Sequence, residues 1–294
     1  MNAWLANRIA LCLFWLGAGL VLILLLGLLF FILLEGIRVI SWDFLTLPAA
    51  TTRSGGGIGP QIFNSFYLLI LTMLMTIPLG LLAGIYMAEY AKKGPLIELI
   101  RLSIETLTSL PSIVVGLFGL LLFVNYTGWG YSLMAGALTL TVINLPMMVR
   151  ISEEAIQGVF PDLREASLAL GATRWQTIWR IMIPAALPAL VTGIIITSGR
   201  VFGEAAALLY TAGMSSPALD FTNWNIFSSA SPLNPFRPAE TLAVHIWKVN
   251  AEAIIPDVKR VANGSAAVLI LIVLIFNLLA RWLGHYINRK LTAA

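Results

Sequence analysis

Charge is scarce in this sequence. Only 11% of its 294 residues are Asp, Glu, Lys or Arg, 59% are hydrophobic, and the mean hydropathy is +0.90. Soluble globular domains carry about 25% charged residues. A water-soluble core cannot hide this much apolar surface, so the composition excludes a soluble domain and points to a polytopic membrane protein. Cysteine is almost missing as well. Cys12 stands alone, which rules out an intrachain disulfide, and His245 and His285 are isolated from each other, with no Cys/His spacing for a metal. No glycine is followed directly by lysine, so a Walker-type nucleotide loop is absent. H-E-x-x-H and G-x-S-x-G are absent too, and no Ser/His cluster or paired Asp replaces them. An intramembrane enzyme therefore has no residues to work with.

What the chain has is apolar length. A helix needs about 20 mostly apolar residues to cross the hydrocarbon. Six segments qualify, near 9–34, 62–88, 102–124, 131–149, 185–209 and 265–283. The first is too long for a signal-peptide core and reads as a retained anchor. Pro78, Pro111 and Pro146 lie inside or near the ends of these spans and are expected to kink them. The net charge of +4 is explained by sidedness rather than by nucleic acid. With both termini cytoplasmic, Arg8, Lys92, Lys93, Arg101, Arg150, Arg164, Arg174, Arg180, Arg281, Arg289 and Lys290 fall inside. Only Arg38, Arg53, Arg237, Lys248, Lys259 and Arg260 fall outside, as the positive-inside rule requires. Trp4, Trp42, Trp129 and Trp282 sit near span ends, where indoles prefer the interface.

The expected division is an N-terminal anchor and outer loop over 1–60, a membrane core over 61–285 and a cytoplasmic tail over 286–294. Within the core lie a cytoplasmic loop, 150–184, and an outer loop, 213–264. The glycine triplet in "RSGGGIGPQ" reads as flexible loop. The second outer loop, rich in Ser, Asn and Pro, is expected to be irregular, with a short surface helix in "AETLAVHIWKVNAEAI".

The cytoplasmic stretch "REASLALGATRWQTIWRIMIP", Arg164 to Pro184, is polar and broken. Pro161 and Asp162 favour a helix start, and Gly171 suits a C-terminal cap. Thr173 and Gln176 make a capping box for a second helix. Leu163, Ser167 and Leu170 share one face at helical spacing, as do Trp175, Ile178, Trp179 and Met182. Two short amphipathic helices at a sharp angle either lie on the bilayer or enter a partner's groove, and the reversal at Gly171 favours a partner.

Glu165-Ala166-Ser167, Gly171, Ile181 and Ile183-Pro184 resemble the EAA loop of ABC importer permeases, E-A-A-x3-G-x9-I-x-L-P. Serine replaces the third small residue, and isoleucine the leucine before proline. "GGGIGPQIFNSFYLLILTMLMTIPLGLLAGIYMAEY", "IETLTSLPSIVVGLFGL" and "SGRVFGEAAALLYTAG", the last with Ala205 in place of threonine, resemble the phosphate-importer permeases of PstA type over about 55–285. The resemblance implies an all-α integral membrane fold of six transmembrane helices with type I (MetI-like) architecture. It implies a plasma-membrane subunit without catalysis of its own, moving phosphate inward. Sulfate or molybdate is the alternative cargo. The implied partners are a sister permease (PstC-like), two copies of an ATPase (PstB-like) holding ATP and Mg, and an extracytoplasmic phosphate-binding protein (PstS-like). Glu165, Ala166, Ser167, Gly171, Trp175, Ile181 and Pro184 are the candidate ATPase-coupling residues. A channel or secondary carrier has no use for such a loop.

Arg200, Glu204 and Glu105 are the candidate path residues. Arg200 and Glu204 are four apart in the fifth span, hence expected on one helical face. They form either an ion pair that locks packing or a guanidinium that touches passing phosphate while Glu204 holds it. Glu105 has Arg101 four residues earlier as its natural partner. Asn64, Ser65, Thr72 and Thr76 are expected to hydrogen-bond between helices, with lining the path as the other reading.

Overall fold

A computed structural model describes residues 3–50, 55–92, 94–252 and 256–292, without the side chains of Ala6 and of residues 287–292. Of the basic residues used for sidedness, Arg53, Lys93 and the side chains of Arg289 and Lys290 lie outside the described set.

All regular structure among the described residues is helical. The first helix, α1 (Ala3–Ile37), is followed by the short α2 (Trp42–Thr46). Next comes α3 (Gly59–Ile85), which runs on through π-helical turns to Tyr90. Then α4 (Pro95–Ser109), α5 (Ser112–Gly119, continuing to Tyr126) and α6 (Leu133–Gln157) follow. The elbow holds α7 (Pro161–Ala169) and α8 (Arg174–Thr177), and π turns over Ile178–Met182 lead into α9 (Ile183–Gly203). The chain ends with α10 (Ala206–Thr211), α11 (Leu242–Glu252) and α12 (Val258–Thr292).

Five helices are long and apolar enough to span, and a sixth span exists if α4 and α5 count as one, bent by 100°. The third span is therefore not the single helix expected over 102–124. Pro111 forces Leu110 out of the α region, and Leu110 is extended with ψ 136°. Glu98, Arg101 and Glu105, spaced three and four apart, give α4 a polar face that suits a membrane surface rather than its interior. Pro78 and Pro146, by contrast, sit inside continuous helices. The fifth span also differs. Its helix stops at Gly203, and Glu204 is extended, with ψ 123°.

α3 and α6 form the most extensive helix pair. A Cβ on Gly80 would fall 2.5 Å from Met148 Cγ, and one on Gly84 2.4 Å from Ser152 Cβ. Glycine thus lets two parallel helices approach backbone to side chain, the packing expected where lipid supplies no hydrophobic drive. α9 and α12 run antiparallel, with Gly199 opposite Asn277 and Gly284 opposite Val191. Gly36, near the end of α1, rests on Asn263 and Ala267 near the start of α12. These registers place the start of α1, the ends of α3, α6 and α12, and the elbow at one end of the bundle. There Ile85, Ala155, Ile156, Ile178, Met182 and Ala186 form one apolar cluster. At the other end Phe44, Ile58, Leu242, Val249 and Val261 form a second. Along α3 the two are separated by roughly 40 Å, from Ile58 to Ile85 at 1.5 Å per residue.

The outer loops are more ordered than the sequence suggested. Gly55 and Gly56 take φ of 80° and 140°, and the Gly55 N–H donates to Asp257 Oδ2 at 3.0 Å, so the glycine triplet is a specific turn. The expected short helix in the second outer loop is α11, which keeps Trp247, Asn250 and Glu252 exposed but buries its other face. It buries Leu242, Ala243, Val244, His245 and Val249 against α3 and α12.

Candidate functional site

The elbow is built from local rules. Pro161 and Asp162 occupy the first turn of α7. Gly171, at φ 84°, donates to Leu168 O at 3.0 Å, and Ala172 donates to Ser167 O at 3.2 Å. This pair of bonds is a Schellman cap, which needs a residue free to enter the left-handed region. α8 then opens on the expected capping box of Thr173 and Gln176. Ser167 and Thr177 are buried where the two arms meet, with their hydroxyl oxygens 2.9 Å apart. Thr177 donates to Thr173 O at 3.1 Å, so Ser167 is the donor across the elbow.

The helical faces divide differently from the expectation. Ile178 and Met182 point into the core, while Trp175 and Trp179 stay uncovered, edge to face with centroids 5.4 Å apart. Residues three apart on a helix are offset by about 60°, and the rim of the core passes between these two ridges. In α7 only Ser167 is buried. Leu163 is exposed, and Leu170 is 88% exposed. Glu165, Ala166 and Gly171 are also uncovered, Ile181 is half-buried and Pro184 lies in the first turn of α9. The elbow thus offers a ridge of Leu163, Leu170, Trp175 and Trp179 that its own chain does not cover. Its bounds shrink too. α6 continues to Gln157, so Arg150 belongs to that helix, and Pro184 stands in the first turn of the fifth-span helix.

One ion pair ties the elbow to the bundle. Arg164 Nη2 lies 2.9 Å from Glu89 Oε2, in the π turns that end α3, and the Glu89 side chain is only 6% exposed. Nearby, a cleft of about 280 Å³ between α4 and α6 holds Arg101, Glu105, Arg150 and Glu153. Arg101 pairs with Glu153, not with Glu105 as the spacing suggested, because α4 lies against α6. Arg150 pairs with Glu154. Glu105 is exposed at this end, away from the bundle interior.

Arg200 and Glu204 are not brought together. The break at Gly203 swings Glu204 off the helix, and its Oε1 accepts the Ala207 N–H at 3.2 Å. Among the described residues the Arg200 side chain makes no ion pair or hydrogen bond. It is half-buried, with Ile196 and Gly203 exposed beside it on a stripe that the rest of the chain leaves open.

The outer end holds a buried polar network that sequence reasoning missed. Arg237 is 2% exposed. Its Nη2 donates to Asn64 Oδ1 at 2.8 Å and Pro232 O at 3.0 Å, and its Nη1 to Pro238 O at 3.4 Å. Burial lowers its pKa to about 10. Asn64 Nδ2 donates to Glu240 O at 3.0 Å and Ser216 Oγ at 2.8 Å. Glu240 accepts from Gln61 Nε2 at 3.1 Å, sits 3.0 Å from His245 Nδ1 and 3.5 Å from Lys248 Nζ. Burial pushes the Glu240 carboxyl up, but the His245 bond and charge, Lys248 and Gln61 outweigh it and hold it below the usual range. Ser65 accepts the Leu242 N–H at 2.8 Å, whereas the buried hydroxyls of Thr72 and Thr76 have no partner. Asn64 and Ser65 thus anchor the outer loop instead of lining a path. Arg237 had one signal, as the lone basic residue in a proline-punctuated stretch from Gly213 to Trp247.

A family model described as the inner membrane component of binding-protein-dependent transport systems matches residues 80–293. The chain belongs to this family. It is 56% identical over 293 residues, all of both chains, to a probable ABC transporter permease protein, YqgI, of Bacillus subtilis. It is 31% identical over 279 residues to the phosphate transport system permease protein PstA of Haemophilus influenzae, covering 94% of this chain and 92% of the relative. A permease chain of a bacterial alginate ABC transporter, solved with its alginate-bound periplasmic protein, shares the fold. Its TM-score is 0.66 at 17% identity, over 98% of this chain and 99% of that one. Permeases of this family are non-catalytic, multi-pass components of the bacterial inner membrane and work with an ATPase and a periplasmic binding protein.

Proposed function

We propose that this permease moves inorganic phosphate into the cell. Its elbow faces the cytoplasm and is gripped there by a separate ATPase, of which two copies hold ATP and Mg. A sister permease completes the passage, and an extracytoplasmic phosphate-binding protein delivers the anion. The likeness over nearly the whole chain to a permease named for phosphate transport favours this cargo over sulfate or molybdate.

The observation that carries the passage is Arg200. A cation near the bilayer centre costs about 2.5–3.5 kcal/mol on insertion scales, and such residues face protein or a watery path. Among the described residues Arg200 lacks a carboxylate partner, and it lies on the uncovered stripe of α9, one turn before the break at Gly203. A guanidinium there offers two parallel donors to a phosphate edge. Glu204, tied up as a cap on the Ala207 N–H, leaves that guanidinium open. Glu105 belongs to the exit end, where its charge sits beside the Arg150 and Arg101 pairs.

The exposed Trp175 and Trp179 ridge, with Glu165 and Ala166 beside it, is the part the ATPase holds. The Schellman turn at Gly171 keeps the two arms at a fixed angle, so closure of the ATPase moves the root of α9. Uptake by the reconstituted importer of phosphate, sulfate and molybdate in parallel tests the cargo. Arg200→Ala is expected to lower uptake at least tenfold while the complex still assembles. Normal phosphate flux in that variant removes Arg200 from the path, and faster sulfate or molybdate flux in the native complex replaces the cargo.

A further inference from the structure

A second basic site lies at the elbow end, away from Arg200. α9 and α12 enclose a groove of about 150 Å³, walled by Pro188, Thr192, Ile195 and Gly284 and closed on one side by Arg281 and His285. A Cβ on Gly284 would fall 2.6 Å from Val191 Cγ1, so glycine sets the close crossing below which the groove opens. Neither helix supplies a counter-ion. α9 contains no acidic residue, and no acid follows Asp257 in the sequence, so all of α12 lacks one. Among the described residues Arg281 makes no ion pair. Trp282 and Tyr286, uncovered and stacked at 5.8 Å, flank the groove as interfacial aromatics do. Leu278 and Leu274, one and two turns earlier on α12, are also uncovered and run toward the bilayer interior.

The geometry points to a binding site for an anionic phospholipid of the leaflet on the elbow side. Its phosphodiester sits between Arg281 and His285, and an acyl chain lies along Leu274 and Leu278. The level fits, because Pro188 is about one turn inside Pro184, where α9 leaves the elbow. The charge fits as well. Every phospholipid carries a phosphodiester, but a zwitterionic headgroup also brings an ammonium, and this groove holds no carboxylate to receive it. Basic pockets between spans on the cytoplasmic side take anionic headgroups on the same grounds. The site stands whether the cargo is phosphate or another oxyanion. Because α9 leads directly into the elbow, the lipid braces the root of the coupling lever against α12.

The test uses the full importer in nanodiscs of phosphatidylcholine with a minority of phosphatidylglycerol, released into a native mass spectrometer. The native complex is expected to retain phosphatidylglycerol in preference to phosphatidylcholine. Arg281→Gln is expected to lower that retention about fivefold, the worth of one basic group at a membrane surface. Arg281→Lys keeps the charge and stays near the native value. Thr192→Phe fills the groove without touching either basic residue and also loses the lipid, so the test survives if Arg281→Gln fails to assemble. Equal retention in the native complex and in the assembled variants overturns the site. So does a photo-crosslinker at position 192 that captures the sister permease instead of lipid. Displacement of phosphatidylglycerol by excess inorganic phosphate makes the groove a free-anion site and overturns the lipid assignment.

Discussion

At the elbow end, Arg101, Arg150 and Arg164 each meet a single carboxylate at a partly solvated surface. At the outer end, Arg237 is buried, bonded to two proline carbonyls and an asparagine, and has no carboxylate within ion-pair distance. The first arrangement can be undone and remade at low cost, because water stands ready to replace either partner. The second cannot, since every group around Arg237 loses a partner that water does not reach. The difference matches the work asked of each end. On the proposed function the elbow moves with an ATPase cycle, whereas the outer loop between α10 and α11 holds its shape.

That contrast makes the outer network the costlier place to cut. Arg237→Ala leaves Asn64 Oδ1 and the Pro232 and Pro238 carbonyls without a donor. Each such loss costs about 1–3 kcal/mol, partly offset by no longer burying a charge, so a net loss of about 3 kcal/mol is expected. Thermal unfolding of the purified permease and protease cleavage between Gly213 and Thr241 both read it. An unchanged melting profile with an intact loop would show that the network adds nothing.

Acid attacks the same end from another direction. The Glu240 carboxyl titrates below its usual value of 4.5 in the folded chain. A depressed carboxylate contributes stability that is complete above its unfolded pKa and is lost as pH falls through the folded one. The loop should stay closed from neutrality to about pH 5 and become protease-sensitive only as pH falls below the usual carboxylate value of 4.5. Glu240→Gln should abolish that dependence. A variant that still opens over the same range would place the titrating group elsewhere.

The elbow tie is weaker. Arg164→Ala strands the nearly buried carboxylate of Glu89, and breaking a fully buried pair costs about 3–5 kcal/mol. Arg164 itself is 41% exposed, however, so solvent screening cuts the cost to about 1–2 kcal/mol. The sharper readout is coupling. Glu89 ends α3, the helix most extensively packed on α6, so on the proposed function the pair would carry elbow motion into the core, beside the continuous route through α9. ATPase turnover per anion transported should rise in Arg164→Ala and recover in the exchanged double variant Glu89→Arg/Arg164→Glu. An unchanged ratio in the single variant would leave α9 as the sole route.

The two ends also differ in how far the sequence reveals them. Pro161, Gly171, Thr173 and Gln176 act through contacts a few residues away, and each stands in the role its spacing implies. The outer network joins Gln61 to Glu240 and Asn64 to Arg237, 179 and 173 positions apart, and no local pattern announces such pairs. The spans were legible as apolar length and the bend at Pro111 as a proline kink, but the break at Gly203 was not. Glu204 looked like a helical neighbour of Arg200 because periodicity assumes an unbroken helix. Glu105 looked like a partner of Arg101 because spacing along α4 cannot see that α6 lies alongside.

Ser167 is the smallest lever and the cleanest probe of whether the elbow is rigid. Its hydroxyl donates across the bend to Thr177, at the position where the EAA pattern carries alanine. Ser167→Ala removes one buried hydrogen bond, worth about 1 kcal/mol. Thr177 keeps its bond to Thr173 O, and alanine suits a helix better than serine, so the net change should fall below about 1 kcal/mol. If the Schellman turn alone fixes the angle, Ser167→Ala should leave uptake and ATPase coupling within about twofold of native. If the hydroxyl bridge holds the arms together, coupling should fall while ATPase co-purification is unchanged, and Thr177→Val should reproduce the defect.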